Sequence, residues 1–150
     1  MFDTLAAVAY LLGSDAKKEG HLRVQAFLAQ KPVAMCLYNQ SPKIQWQNVP
    51  PQTNSLALII RDKTHYYWVV YNLPADAKFL PANTNAEINR HDEGFNSWGV
   101  KNYHAICSNK NPITVELFAV DKRFATANMT GDELIQKMRG NVIEKAITNA

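Results

Sequence analysis

"SLALIIRDKTHYYWVVYNLPA", residues 55–75, contains two apolar runs of strand length on either side of a polar stretch. "SLALII" and "YWVVYNL" are continuously apolar or aromatic rather than alternating, as strands covered on both faces are. Between them stand Asp62, Lys63, Thr64, His65, Tyr66 and Tyr67, all able to hydrogen-bond. A tight hairpin wants Gly or Asn at its tip. Neither is present, so the connection reads as a wider one carrying a carboxylate and two phenols.

Outward from this pair, strand patterns continue. "HLRVQAFL" (21–28) places Leu22, Val24 and Ala26 on one face, "VAMCLY" (33–38) is a further candidate, and "KIQWQNV" (43–49) stops at Pro50-Pro51. "PITVELFAVD" (112–121) alternates Ile113, Val115, Leu117 and Ala119 with Thr114, Glu116, Phe118 and Val120. Pro74 to Lys101, rich in Asn, Ala, Asp and Gly, reads as a long loop. Helices are expected at the two ends. Leu5, Val8, Ala9 and Leu12 have helical spacing over 3–13, and residues 1–20 form a helical extension. Thr130 and Glu133 make a capping box, and Leu134, Ile135, Met138, Val142, Ile143 and Ala146 extend an apolar face to about 147, across Gly140. The expectation is one mostly-β domain over 1–150, an antiparallel two-sheet sandwich with peripheral N- and C-terminal helices.

Composition narrows the function classes. Apolar residues make up 47% and charged ones 19%, with a formal charge of +3. No run of Lys or Arg tracks a groove, which argues against nucleic acid as a partner. "LAAVAYLLG" (5–13) is too short to span a bilayer, and no Lys or Arg precedes it as in a signal peptide, so the expected compartment is the cytoplasm. His21, His65, His91 and His104 fit no metal-ligand spacing, so no metal or other cofactor is expected. His104 and Cys107 are close in sequence, but there is no Gly-x-Ser-x-Gly elbow and no phosphate loop, and the chain is not expected to be an enzyme. Cys36 and Cys107 read either as two thiols or as one bridge, the latter requiring Cα atoms within roughly 7 Å.

Several segments in order resemble the phosphatidylethanolamine-binding protein family, which includes the Raf-kinase-inhibitor-like proteins and their bacterial relatives. "SPKIQWQNVPPQTNSLALIIRD" is similar to its Ser-Pro-x-Leu-x-Trp…Val-Pro…Thr-x-Ser-x-Ala-Leu…Asp pattern, and "YWVVYNLPA" to its His-Trp-Val-Val-Tyr-Asn-Ile-Pro-Ala strand. "GFNSWGVKNYHAIC", "VELFAVD" and "TGDELIQKMRGNVIEKA" resemble its Gly-Pro-Cys-Pro-Pro loop, its Leu-Tyr-Ala-Leu-Asp strand and its closing helix. The order holds from about His21 to Ala150.

The resemblance implies a large antiparallel sheet packed on a smaller one, and a small pocket for an anion such as phosphate or a phospholipid headgroup. In the family an Asp-Pro-Asp motif, two His and a Gly-Pro-x-Pro loop line that pocket. Here Asp62 keeps the first Asp, while Lys63 and Thr64 replace the Pro and the second Asp. Tyr67 stands at the first His beside a retained Trp68, and Asn111 stands at the second. Tyr103 and Cys107 remain in the loop, whose prolines are gone. A phenol and an amide in place of two imidazoles remove charge that favours an anion. The implied function is non-catalytic binding through an altered anion or headgroup pocket. The alternative is a protein-interaction or inhibitor module whose ancestral pocket is lost. The resemblance also implies that Cys36 and Cys107 are neighbours.

Overall fold

The computed structural model of the protein describes residues 20–27, 39–107 and 110–149. The expected N-terminal helix, the "VAMCLY" strand and Cys36 lie outside them. In chain order the elements are β1 (Arg23–Phe27), β2 (Lys43–Gln47), β3 (Ser55–Arg61), β4 (Tyr66–Pro74), β5 (Phe79–Leu80), α1 (Ala86–Asn89), β6 (Asp92–Glu93), β7 (Thr114–Val120), α2 (Gly131–Met138) and β8 (Val142–Asn149). They form two antiparallel sheets, three-stranded β1-β2-β5 and five-stranded β6-β4-β3-β7-β8.

The two apolar runs are β3 and β4, side by side at the centre of the larger sheet, as their uninterrupted pattern requires. Leu56, Leu58 and Ile60 face the smaller sheet and pack with Ile44, Trp46 and Leu80. Ala57 and Ile59 face the other way, against Met129 and the α2 residues Leu134 and Met138. The large sheet thus lies between two cores.

β4 carries two bulges. Between the pairs Leu56–Leu73 and Leu58–Val70 it holds one residue more than β3, and again between Ile60–Trp68 and Arg61–Tyr66. Each extra residue shifts the in–out alternation by one. Tyr66 therefore faces α2, while Tyr67 and Trp68 both join the inter-sheet core. At the other bulge Asn72 takes a left-handed φ of 57°.

The end of the chain departs from expectation. The capping box is present, with Glu133 N–H donating to Thr130 Oγ1 at 3.2 Å and Thr130 N–H to Glu133 Oε1 at 2.8 Å. The helix stops at Met138 rather than running to 147. Gly140 adopts φ 81°, which turns the chain back, and the β-branched Val142, Ile143 and Ile147 form β8 along β7. The expected Pro74–Lys101 loop also holds short elements, β5, α1 and β6. Among the described residues no helix is long and apolar enough to cross a membrane.

Candidate functional site

The connection between β3 and β4 is a compact turn built around one carboxylate. Asp62 Oδ1 accepts from Thr64 N–H at 2.8 Å, His65 N–H at 2.7 Å and Thr64 Oγ1 at 2.9 Å. Asp62 Oδ2 accepts from the Tyr67 hydroxyl at 2.9 Å. Burial alone would raise the Asp62 carboxyl, but these donors outweigh it and hold it at about 2. Burial and the bond to Asp62 push the Tyr67 hydroxyl up to about 12.

The segment after β6 runs along β4 and closes over this turn. Gly94 N–H donates to Val69 O, Ser97 N–H to Tyr66 O and His104 N–H to Tyr67 O, the last using a carbonyl freed by the bulge. Asn96, buried, shapes the tip. Its Oδ1 accepts from Trp98 and Val100 N–H, and its Nδ2 donates to Asn102 O. The tip presents Trp98, 43% exposed, in the middle of an aromatic row. Its indole stacks on His104 at 3.5 Å and on His65 at 5.1 Å, and tilts against Tyr67 at 5.5 Å.

Deeper in, Trp68 meets the Tyr103 ring edge-on at 5.7 Å. Trp68 Nε1–H donates to Glu93 Oε2 at 3.3 Å, and His91 Nε2 lies 2.9 Å from the same oxygen. Burial first, and the nearby Tyr67 second, raise the Tyr103 hydroxyl to about 12.

The structure therefore gathers Asp62, Thr64, Tyr67, Trp68 and Tyr103 of the expected set. Cys107 follows the same segment, exposed and disulfide-bonded, so it holds no free thiol. Asn111, half-buried three residues before β7, makes no hydrogen bond to the group among the described residues. The site also includes His65, Trp98, His104 and Glu93, none of which was in the expected ligand-binding set. His91 and Glu93 had a usable signal, since residues two apart on a strand share a face. Among the described residues no three His, Cys, Asp or Glu side chains gather to hold a metal.

Hydrogen-bond direction sets what this site offers a ligand. The Tyr67 and Thr64 hydroxyl protons are both spent on Asp62. Thr64 Oγ1 must then accept at its 2.8 Å contact with His65 Nδ1, which places the neutral His65 proton on Nδ1. His104 Nδ1 likewise donates to Ala105 O at 2.8 Å. With the proton on Nδ1, each imidazole in its neutral form is left with an acceptor at Nε2. Asp62, acceptor-only, keeps its negative charge at neutral pH.

One prediction follows from the carboxylate. Its folded pKa lies below the ordinary 3.8, so its stabilisation is complete above that value and is lost as pH falls toward 2. Tyr67→Phe removes one donor and raises the Asp62 pKa, readable by NMR titration of the side-chain carboxyl carbon. The half-exposed setting limits the stability cost at neutral pH to about 1 kcal/mol. That cost shrinks as pH falls from about 4 toward 2, where both proteins lose the charge. An unchanged Asp62 titration in the variant would show that the Tyr67 bond does not hold the carboxylate.

A family model described as "Phosphatidylethanolamine-binding protein" matches residues 25–150. A curated relative, the UPF0098 protein of Methanothermobacter thermautotrophicus, is 29% identical, covering 72% of this chain and 79% of its own. A crystal structure of a phosphatidylethanolamine-binding protein homologue from Chlamydia trachomatis superposes with a TM-score of 0.75 at 21% identity, over 87% of this chain and 95% of the other. An Escherichia coli protein described as a new member of the mammalian PEBP family gives 0.72 at 19% identity, over 86% and 96%. At these identities the two structures speak to the fold.

Proposed function

This chain belongs to the phosphatidylethanolamine-binding protein family, and from that premise we propose that it is a non-catalytic binding module whose small-ligand pocket has turned away from anions. The observation that carries this reading is the inward direction of the donors around Asp62. An anion entering beside Trp98 meets a carboxylate, a phenol oxygen whose proton is already committed and two imidazole acceptors. Electrostatics and hydrogen bonding both oppose it. The bonded state of Cys107 removes the one Cys–His nucleophile pair that the sequence offered, which supports a binding role over a catalytic one. It also favours an oxidising compartment over the cytoplasm.

Calorimetry with inorganic phosphate and with phosphoethanolamine tests the reading. At neutral pH the expected affinity is millimolar or weaker, on the order of −4 kcal/mol. Tyr67→His should tighten it, most of all below about pH 6.5, where imidazole gains a proton and a second donor. Micromolar phosphate binding by the parent protein at neutral pH would show that His65 and His104 rebuild an anion site, and would sink the proposal.

A further inference from the structure

The smaller sheet is distant in role from this site. One of its faces covers the core through Val24, Ile44 and Leu80, and the other is open among the described residues. Strand alternation puts two cations on the open side, Arg23 on β1 and Lys43 on β2, and Lys78, exposed just before β5, joins them at the rim. They line a shallow depression of about 310 Å³ whose walls contain no carboxylate. Two aromatic rings share this side, Phe27 at 53% and Phe79 at 51% exposure. Both flank the Lys43 ammonium, 5.7 Å and 5.9 Å from their ring centres. The register sets Phe27 opposite Lys43, Gln25 opposite Gln45, and Gln45 opposite Phe79. Gln45 Nε2 donates to Gln25 Oε1 at 2.9 Å, which leaves each carboxamide a second group for a ligand.

From this arrangement we propose that the open face of β1-β2-β5 binds single-stranded nucleic acid. Phosphates pair with Arg23, Lys43 and Lys78, bases stack on Phe27 and Phe79, and the Gln25 and Gln45 carboxamides meet base edges. An exposed cation-on-ring contact is weaker than base stacking, so Lys43 moves to a phosphate when a base takes the ring. The charge complementarity is one-sided, since the depression has cations and no acid. An acidic peptide would use the cations and leave the rings and amides idle. An anionic membrane would use rings and cations but bury the carboxamides. The sequence lacks a linear basic run, yet cations drawn from separate segments need none.

Fluorescence anisotropy of labelled 12-nucleotide oligo(dT) and oligo(U) with the full chain is the test. Binding is expected in 50 mM salt and should weaken about 20-fold by 200 mM, as roughly three single-strand phosphate contacts dictate. Phe79→Ala and Phe27→Ala should each weaken it about 5-fold or more with an unchanged salt slope. Lys43→Gln should flatten the slope by about one phosphate. All three side chains are exposed, so the variants keep the fold, which circular dichroism checks. No anisotropy change at 100 µM protein in 50 mM salt would overturn the proposal. So would Phe variants that bind like the parent, equal competition by a 12-residue oligoglutamate, or Phe79-dependent capture on phosphatidylglycerol vesicles that displaces the oligonucleotide.

Discussion

Asn72→Val should destabilise the protein by about 4 kcal/mol, close to the loss of a large core side chain. Two independent costs meet at this residue. A β-branched side chain at φ 57° costs about 1–2 kcal/mol. The Asn72 side chain also donates to Asp92 Oδ2 at 2.8 Å and Phe124 O at 2.7 Å, and accepts from Phe124 N–H at 2.9 Å. Losing these bonds in a buried position adds about 2–3 kcal/mol. Asn72→Gly separates the two, because glycine accepts the backbone angle. It should cost about 2–3 kcal/mol by urea denaturation. Equal losses in both variants would mean that the bulge relaxes and stores no strain. The Asn of "VVYNLP" is thus a fold residue that pins segment 122–127 to β4, not part of the ligand site.

Glu116→Ala should cost about 3 kcal/mol. Glu116 is 2% exposed on β7 and sits between opposite charges on the two neighbouring strands, Arg61 on β3 and Lys145 on β8. Arg61 Nε lies 2.8 Å from its Oε1, and Lys145 Nζ 2.8 Å from its Oε2. Arg61 also donates to Tyr66 Oη at 3.0 Å, and Tyr66 donates to Asp132 at 2.5 Å. Burial pushes the Tyr66 hydroxyl up, the Asp132 bond adds to it, and Arg61 opposes them, leaving it at about 12. Removing one partner of a buried pair costs about 3–5 kcal/mol. The lower end applies, because Arg61 and Lys145 keep contact with water. Glu116→Gln, which keeps the volume and two hydrogen-bonding atoms, should cost less. A Glu116→Ala loss below about 1 kcal/mol would show that solvent already screens the pair.

Much of the architecture was legible because β3 and β4 advertise burial on both faces. Their bulges were not legible. A run such as Tyr66-Tyr67-Trp68 is apolar enough to tolerate either register, and only pairing with β3 shows the extra residue. The same ambiguity misread the chain end. Val142, Ile143 and Ala146 satisfy a helical face as well as a strand, and the backbone angle at Gly140 decides between them. At the site, Asp62, Tyr67 and Tyr103 were found through family likeness. Trp98, His65 and His104 come together only because Asn96 folds the tip onto the turn, a contact with no local sequence signal. Glu116 sits among apolar residues of a strand whose alternation alone does not reveal Arg61 and Lys145 converging on it.

β7 lies between β3 and β8, and β8 is the later of its two neighbours in the chain. Synthesis on the ribosome therefore delivers β7 to a sheet whose outer edge has no strand to pair with. Six of its seven residues are buried in the finished protein, and helix α2 must emerge before β8 can dock. Throughout that interval the nascent chain displays an apolar strand with a row of unpaired backbone donors and acceptors. Translation speed across residues 121–149 sets how long the edge stays open to strands of other chains.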